Sequence, residues 1–104
     1  MRFMSVLSNV IDGTLTIEVM GSFDLSIYDE FHKSYPSDLS EIRAVVIDLS
    51  HADYIDSTAI GMILSLRQAM GGVNANISLL NPNENVARLL EVAQLKQLMV
   101  IKSE

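Results

Sequence analysis

Polar and apolar residues alternate from Thr14 to Val19, which is the period of a strand with one buried face. Asp12-Gly13 directly precedes this stretch and is a dipeptide typical of a two-residue hairpin turn. Val6 to Val10 is therefore predicted to be the partner strand, so the chain opens with a β-hairpin.

Small and polar residues interrupt the pattern after this hairpin. Gly21-Ser22 is expected to end the second strand, and Ser26 is expected to cap a helix that runs toward Tyr35. Pro36 should stop that helix, because the residue before a proline is pushed out of helical geometry.

Strands and helices are then predicted to alternate. Ala44 to Leu49 is apolar except for Asp48, which indicates a strand buried on both faces. A helix that begins near Ser57 should end at Gly71-Gly72. The remaining predictions are a strand at Ala75–Leu80, a helix bearing Val86, Leu89, Leu90 and Ala93, and a strand at Leu98–Ile101. This order indicates an α/β fold: a mixed β-sheet with helices packed on it.

Composition narrows the possible functions. The 104 residues are 49% apolar, so we expect one domain over residues 1–104 with a substantial core. The net charge of −6 argues against binding to nucleic acid or to an anionic membrane. Cysteine is absent, which excludes disulfides and thiolate chemistry. Met1 to Asn9 does not resemble a signal peptide, and no segment has the roughly 20 apolar residues of a membrane span, so a cytoplasmic protein is expected.

The candidate chemistry lies in Asp56-Ser57-Thr58-Ala59-Ile60-Gly61, at the start of the predicted central helix. A helix N-terminus presents unpaired backbone N–H groups, so a phosphate on Ser57 would lie in a favourable field. Ser57 is therefore a candidate phosphorylation site, with the adjacent Thr58 as the alternative acceptor. Local chemistry alone also allows a simpler role, in which Asp56 or Ser57 is only the N-cap of the helix.

One face of this helix is unusually small and polar. At 100° per residue, Ser57, Gly61 and Ser65 fall together opposite the apolar stripe, and Ile60 and Leu64 border them. An interior glycine costs a helix about 1 kcal/mol relative to alanine, which suggests a contact role for Gly61. Such a strip would let another protein approach closely, although simple solvation of these residues explains the pattern equally well.

Several of these segments resemble the STAS domain of bacterial anti-sigma factor antagonists. Asp56 to Gly61 is similar to the family's D-S-[ST]-[GA]-[LIV]-G motif, and Gly21-Ser22-Phe23-Asp24 to its G-x-[LF]-D turn. Asn81 to Leu90 resembles the family's polar-Pro segment before a helix, and Ala93-Gln94-Leu95 its small-x-L turn. The order and spacing of these motifs match over most of the chain.

The resemblance implies a regulator that switches partners and has no cofactor. In this family the unphosphorylated antagonist binds an anti-sigma factor, often a serine protein kinase, and phosphorylation of a serine ends the complex. A serine phosphatase then restores the unphosphorylated form. Carried over by position, Ser57 would be the phosphoacceptor and Asp24 would share its binding surface. The full set of partner-binding residues expected here is Asp24, Asp56, Thr58, Ile60, Gly61, Leu64 and Ser65.

Two departures from the family leave an alternative open. Ala59 replaces a common glycine, and the chain stops at Glu104, soon after the last predicted strand, where many antagonists continue into another helix. The alternative is a STAS scaffold that is not switched, or a regulator of a non-sigma effector such as biofilm or motility control. An exposed apolar edge formed by Ile60, Met62 and Leu64 would serve a scaffold equally well.

Enzymatic functions fit less well. Asp48, Asp53 and Asp56 are closely spaced, but a phosphoacceptor receiver domain also needs an acidic pair after its first strand and a lysine after a later one, and both are missing. His32 and His51 are the only histidines, and neither has an evident orienting partner for a serine nucleophile. The sequence therefore predicts a non-enzymatic protein without a metal site.

Overall fold

The computed structural model describes residues 5–104; part of the segment from Met1 to Asn9 considered above lies outside this range. A five-stranded sheet has the order β1-β2-β3-β4-β5, in which β1 is antiparallel to β2 and the other neighbours are parallel. The predicted mixed α/β sheet is thus confirmed. Its strands are β1 (Val6–Ile11), β2 (Thr14–Phe23), β3 (Ala44–Ile55), β4 (Ile77–Leu80) and β5 (Val100–Lys102), and its helices are α1 (Tyr28–Lys33), α2 (Ser57–Ala69) and α3 (Glu84–Val92).

The opening hairpin forms as predicted. Ile11 pairs with Thr14 across a two-residue turn, and the φ angles of Asp12 and Gly13 are 51° and 80°. Positive φ at both central positions is the geometry that matches the natural twist of two paired strands. The turn also holds the beginning of β3, because the Arg43 amide donates to the Gly13 carbonyl at 2.8 Å.

Two strands run further than predicted. Gly21-Ser22 does not end β2, because the strand absorbs two register shifts against β3 and continues to Phe23. Gly21 has a φ of +78°, a conformation that glycine adopts easily and that a β-bulge often requires. β3 likewise extends past the predicted end at Leu49 to Ile55, so Ser50 to Tyr54 are strand residues.

The core lies on one face of the sheet. Val45, Ile47 and Leu49 of β3 are fully buried, together with Ile63 of α2 and Leu90 of α3. The prediction that β3 is buried on both faces is wrong, since Ala44, Val46 and Asp48 alternate with these residues and are only half-buried. All three helices pack into this one core cluster, which leaves the opposite face of β3 partly open to water.

The segment after β2 also differs from prediction. Asp24, rather than Ser26, provides the cap, and it caps a 3₁₀ turn over Leu25–Ile27 that leads into α1. The Ser26 amide donates to Asp24 Oδ1 at 2.9 Å, and the Ser26 hydroxyl donates to the same oxygen. Asp24 takes this role because it is the first residue after the longer β2.

The second half of the chain follows the prediction closely. α2 ends at Ala69 with Met70 as its C-cap, and Gly71 follows with a φ of +110°, which suits glycine just after the end of a helix. The last strand begins at Val100 rather than at Leu98, because a 3₁₀ turn over Leu95–Gln97 takes up the connection from α3. None of the helices within residues 5–104 has the length and apolar character needed to cross a bilayer.

Asn83 ties α3 to the end of β3. Its side-chain oxygen accepts from the Val86 amide at 2.8 Å and so caps α3. Its side-chain nitrogen donates to the carbonyls of Ala52 and Asp53 at 3.1 and 3.2 Å. One side chain therefore holds the helix and the strand that leads to Ser57.

We expect Asn83→Ala to lower the free energy of unfolding by about 1–2 kcal/mol, because it removes a helix cap and leaves two strand carbonyls without this donor. Urea denaturation followed by circular dichroism measures the change. Asn85→Ala is the control, since Asn85 is an exposed residue in the first turn of the same helix. Equal losses in the two variants would contradict the assigned role of Asn83.

Candidate functional site

The candidate site is built where β2 and β3 end side by side. Phe23 and Ile55 are paired across these parallel strands, and each is followed by an aspartate that caps a helical segment. Adjacent strands lie about 4.8 Å apart, so Asp24 and Asp56 leave the sheet at the same edge. This arrangement brings Asp24 next to the start of α2, although the two motifs are far apart in the chain.

Asp56 is the N-cap of α2. The Ala59 amide donates to Asp56 Oδ1 at 3.1 Å, and the Thr58 hydroxyl donates to the same oxygen. The Thr58 hydroxyl bond and the backbone N–H bonds stabilise the charged carboxylate and hold its pKa below the usual value. The cap therefore belongs to Asp56, and Ser57 is the first helical residue.

The two candidate phosphoacceptors have different surroundings. Both Ser57 and Thr58 are exposed, but the Thr58 hydroxyl is engaged by Asp56. Within residues 5–104, the Ser57 hydroxyl makes no hydrogen bond. Phosphorylation of Thr58 would remove the hydroxyl bond to Asp56, whereas phosphorylation of Ser57 would leave both bonds to Asp56 Oδ1 in place.

The predicted small face of α2 is on the surface. Ser57, Gly61 and Ser65 are exposed, and a Cβ added to Gly61 would have no neighbour within 4 Å. No contact inside the described part of the chain therefore requires glycine at position 61.

The apolar border of this face is less exposed than expected. Ile60 and Leu64 are half-buried against the core on one side of the exposed strip. Met62, predicted to lie on an exposed edge, is 6% exposed and belongs to the core. It packs in the same core cluster as Ile63 and Leu66 of α2.

The other side of the strip borders a groove that the sequence analysis missed. A cavity of about 780 Å³ lies between α1 and α2, and Thr58, Gly61 and Ser65 line one wall. Aromatic residues of the α1 segment line the other wall: Tyr28, Phe31, His32 and Tyr35. Helical spacing of Tyr28, His32 and Tyr35 could have indicated this wall, but their partner across the groove is set by tertiary packing.

The side chains considered for catalysis, His32, His51 and Asp48, make contacts with residues other than Ser57. His51 contacts Glu18 at 3.3 Å, and His32 Nδ1 lies 3.2 Å from the Tyr35 hydroxyl. Asp48 accepts from the Ser50 amide at 2.9 Å within β3. No group of three or more histidine, aspartate or glutamate residues within positions 5–104 has an arrangement that could hold a metal ion.

The cap of α2 predicts a pH dependence of stability. Because the Asp56 pKa is lowered in the folded state, its contribution is present above the unfolded pKa of about 3.9 and is lost as the pH falls through the folded value. Asp56→Asn retains a capping oxygen but cannot titrate. We therefore expect the variant to lose less stability than the wild type between about pH 5 and pH 3 in urea denaturation. Parallel losses in both proteins would contradict this role.

Comparisons with known proteins identify the family. The STAS domain family matches residues 5–104. A STAS-domain containing protein of Pseudomonas aeruginosa (strain UCBPP-PA14) is 40% identical over 87 residues, which cover 84% of this chain and 86% of the relative. An anti-sigma-B factor antagonist of Staphylococcus epidermidis is 26% identical over 89 residues, which cover 85% and 82% of the two chains.

Solved structures show the same fold. The unphosphorylated form of the anti-sigma factor antagonist SpoIIAA superposes with a TM-score of 0.74 at 17% identity, over 95% of this chain and 88% of the other. The phosphorylated form of SpoIIAA from Bacillus gives a TM-score of 0.66 at 17% identity, over 95% and 92%. The motifs, the sheet order and the family match together show that this chain belongs to the STAS domain family.

Proposed function

We propose that this protein is a partner-switching regulator controlled by phosphorylation of Ser57. The unphosphorylated form binds an anti-sigma factor that is also a serine kinase, and so releases the target of that factor. Phosphorylation abolishes binding, and a serine phosphatase restores it. The protein itself acts by binding and needs neither a catalytic group nor a cofactor. The observation that carries this proposal is the exposed Ser57 hydroxyl, which is free of the α2 cap in the described part of the chain.

The relatives support this class of function. One relative is named as an anti-sigma-B factor antagonist, and SpoIIAA has been solved in both an unphosphorylated and a phosphorylated form. The residues that resemble the family's serine motif, Asp56 to Gly61, form the start of α2. The proposed phosphorylation site therefore lies at the N-terminus of this helix.

The start of α2 suits a phosphate within the domain. The first backbone N–H groups of a helix and the positive end of its dipole favour an anion, so the added group need not unfold the protein. Asp56 already occupies the Ala59 amide, which leaves the phosphate outside the cap and toward solvent.

The same phosphate opposes docking of a partner. Phosphorylation adds about −1.5 to −2 charges beside Asp24 and Asp56, in a protein whose net charge is already −6. A partner surface closing over Ser57 would have to strip water from this dianion and leave it beside two carboxylates. A loss of a few kcal/mol is enough to change a mostly bound population into a mostly free one.

We expect Ser57→Ala to retain its partner and Ser57→Glu to bind it at least tenfold more weakly, because only the second adds charge at the interface. The partner is first captured from native cells and identified, and affinities are then measured by calorimetry. Ser103→Glu is the control for net charge, since Ser103 is exposed near the end of the chain. Equal affinities of Ser57→Ala and Ser57→Glu would exclude the switch and favour an unswitched scaffold.

The modified residue can be identified directly. We expect the intact protein from native cells to carry one phosphoryl group in part of the population, with peptide fragmentation placing it on Ser57. A phosphate on Thr58 would contradict the assignment, because its hydroxyl is committed to Asp56.

Asp24 caps the 3₁₀ turn over Leu25–Ile27 and also places a negative charge beside the start of α2. Two variants separate the structural role from the proposed role in partner binding. Asp24→Asn keeps an oxygen for the Ser26 amide but removes the charge beside α2. We expect it to weaken partner binding while its melting temperature stays near that of the wild type. Asp24→Ala should lose binding and also about 1 kcal/mol of stability. Unchanged calorimetric affinity of Asp24→Asn would restrict Asp24 to its structural role.

Gly61 tests whether the exposed face of α2 is a contact surface. Gly61→Ala should raise the free energy of unfolding by about 1 kcal/mol, because alanine favours the helix and its Cβ meets no neighbour. The same methyl group should weaken partner binding if the partner closes on the helix backbone. Asn85→Ala, an exposed change to alanine on α3, is the control. A more stable Gly61→Ala protein with unchanged affinity would indicate a solvated face.

A further inference from the structure

One edge of the sheet is an exposed strand without charge. The sheet ends at β1 on one side and at β5 on the other. β5 has only three residues and carries Lys102, and both features hinder pairing with another chain. β1 has six residues and contains neither a charged side chain nor a proline. Every residue from Leu7 to Ile11 is exposed, so this edge lacks the protection that β5 has.

The pairing with β2 determines which backbone groups of β1 point away from the sheet. Bonded residues alternate along an antiparallel pair, and the Met20 amide donates to the Ser5 carbonyl at 2.9 Å. In steps of two from Ser5, the residues whose backbone bonds face β2 are Leu7, Asn9 and Ile11. The N–H and C=O groups of Ser8 and Val10 therefore point outward, and no group within residues 5–104 bonds to them. Each copy thus offers four backbone groups to an added strand.

β1 is complementary to a second copy of itself. An antiparallel pair of β1 strands with a two-fold axis at Asn9 joins Ser8 of one copy to Val10 of the other, on both sides of the axis. These two pairs use all four outward groups of each copy. Leu7 of one copy then faces Ile11 of the other, and these side chains are 43% and 64% exposed in the single chain. Apolar pairs across neighbouring strands stabilise a sheet.

The charges that flank β1 favour a second copy over an unrelated strand. The Ser8 hydroxyl donates to the Ser34 carbonyl at 2.6 Å, so Ser8 lies beside the end of α1, whose last turn contains Lys33. Val10 lines a separate cavity of about 340 Å³, and the acidic residues that share this cavity are Asp38 and Glu41. Because the axis pairs Ser8 with Val10, it brings the basic end of α1 in one copy toward the acidic cavity of the other.

We propose that β1 joins two copies of this chain into a symmetric dimer, in which the five strands of each copy form one continuous sheet. Two short edge strands bury less than the roughly 1,200 Å² of a standard interface, so the dimer is weak, with a Kd on the order of 100 µM. None of the contacts that define the axis involves α2. The inference therefore goes beyond the proposed switch and does not depend on it.

Self-association is measured by sedimentation equilibrium of the purified, unphosphorylated full chain. We expect the average mass to rise toward twice the monomer mass as the concentration increases from about 10 µM to about 1 mM. Asn9→Asp should weaken association at least tenfold, because the two new carboxylates would face each other across the axis. Asn85→Asp is the control, since it adds the same charge at an exposed position on α3. A wild-type monomer at about 1 mM, or equal association of the two variants, would overturn the proposal.

A disulfide tests the position of the axis, because the natural chain has no cysteine. In the proposed pairing Asn9 faces its own copy at a non-hydrogen-bonded position, where Cα atoms lie about 4.5 Å apart, within the range that a disulfide spans. Asn9→Cys should therefore form an intermolecular disulfide at least tenfold faster than Asn85→Cys, as measured by non-reducing electrophoresis during mild oxidation. Equal rates would overturn the proposed axis. No partner protein is present in either experiment, so the dimer can fail while the Ser57 switch stands, and the reverse.

Discussion

The site depends on the parallel pairing of β2 and β3 up to their last residues. Phe23 and Ile55 are both buried and lie side by side, so the two aspartates that follow leave the sheet together. Each aspartate then begins a helical segment on the core face. If β2 had ended at Gly21, Asp24 would start from a loop rather than from a strand. The bulge at Gly21 is therefore part of what positions the acidic surface beside Ser57.

Local signals in the sequence predict several turns and helix ends, because contacts between residues close together in the chain form them. Asp12-Gly13 predicts the hairpin turn, and Gly71 predicts the end of α2, since both depend on backbone conformations that few residues adopt. The motif at Ser57 likewise locates the start of α2, because a capping aspartate acts within its own turn.

Tertiary pairing explains the predictions that failed. The polar residues after Leu49 resemble a loop, but β2 holds them in a strand. Val46 is as apolar as its buried neighbours, yet it is half-exposed because the helices pack on the other face. The groove combines Tyr28 with Gly61, and no local pattern links two residues that only the fold brings together. The roles proposed for the site residues stay predictions, since geometry alone does not identify a partner.

The pairing of Phe23 with Ile55 also affects the stage of folding at which the site forms. These residues are distant in the chain, so their contact must overcome the entropy of closing a long loop, whereas the β1–β2 hairpin and α2 need only local contacts. A nascent chain can thus contain the Ser57 motif before Asp24 has come to its side. If Ser57 is phosphorylated as proposed, an enzyme that recognises both aspartates would modify only chains that have completed their sheet.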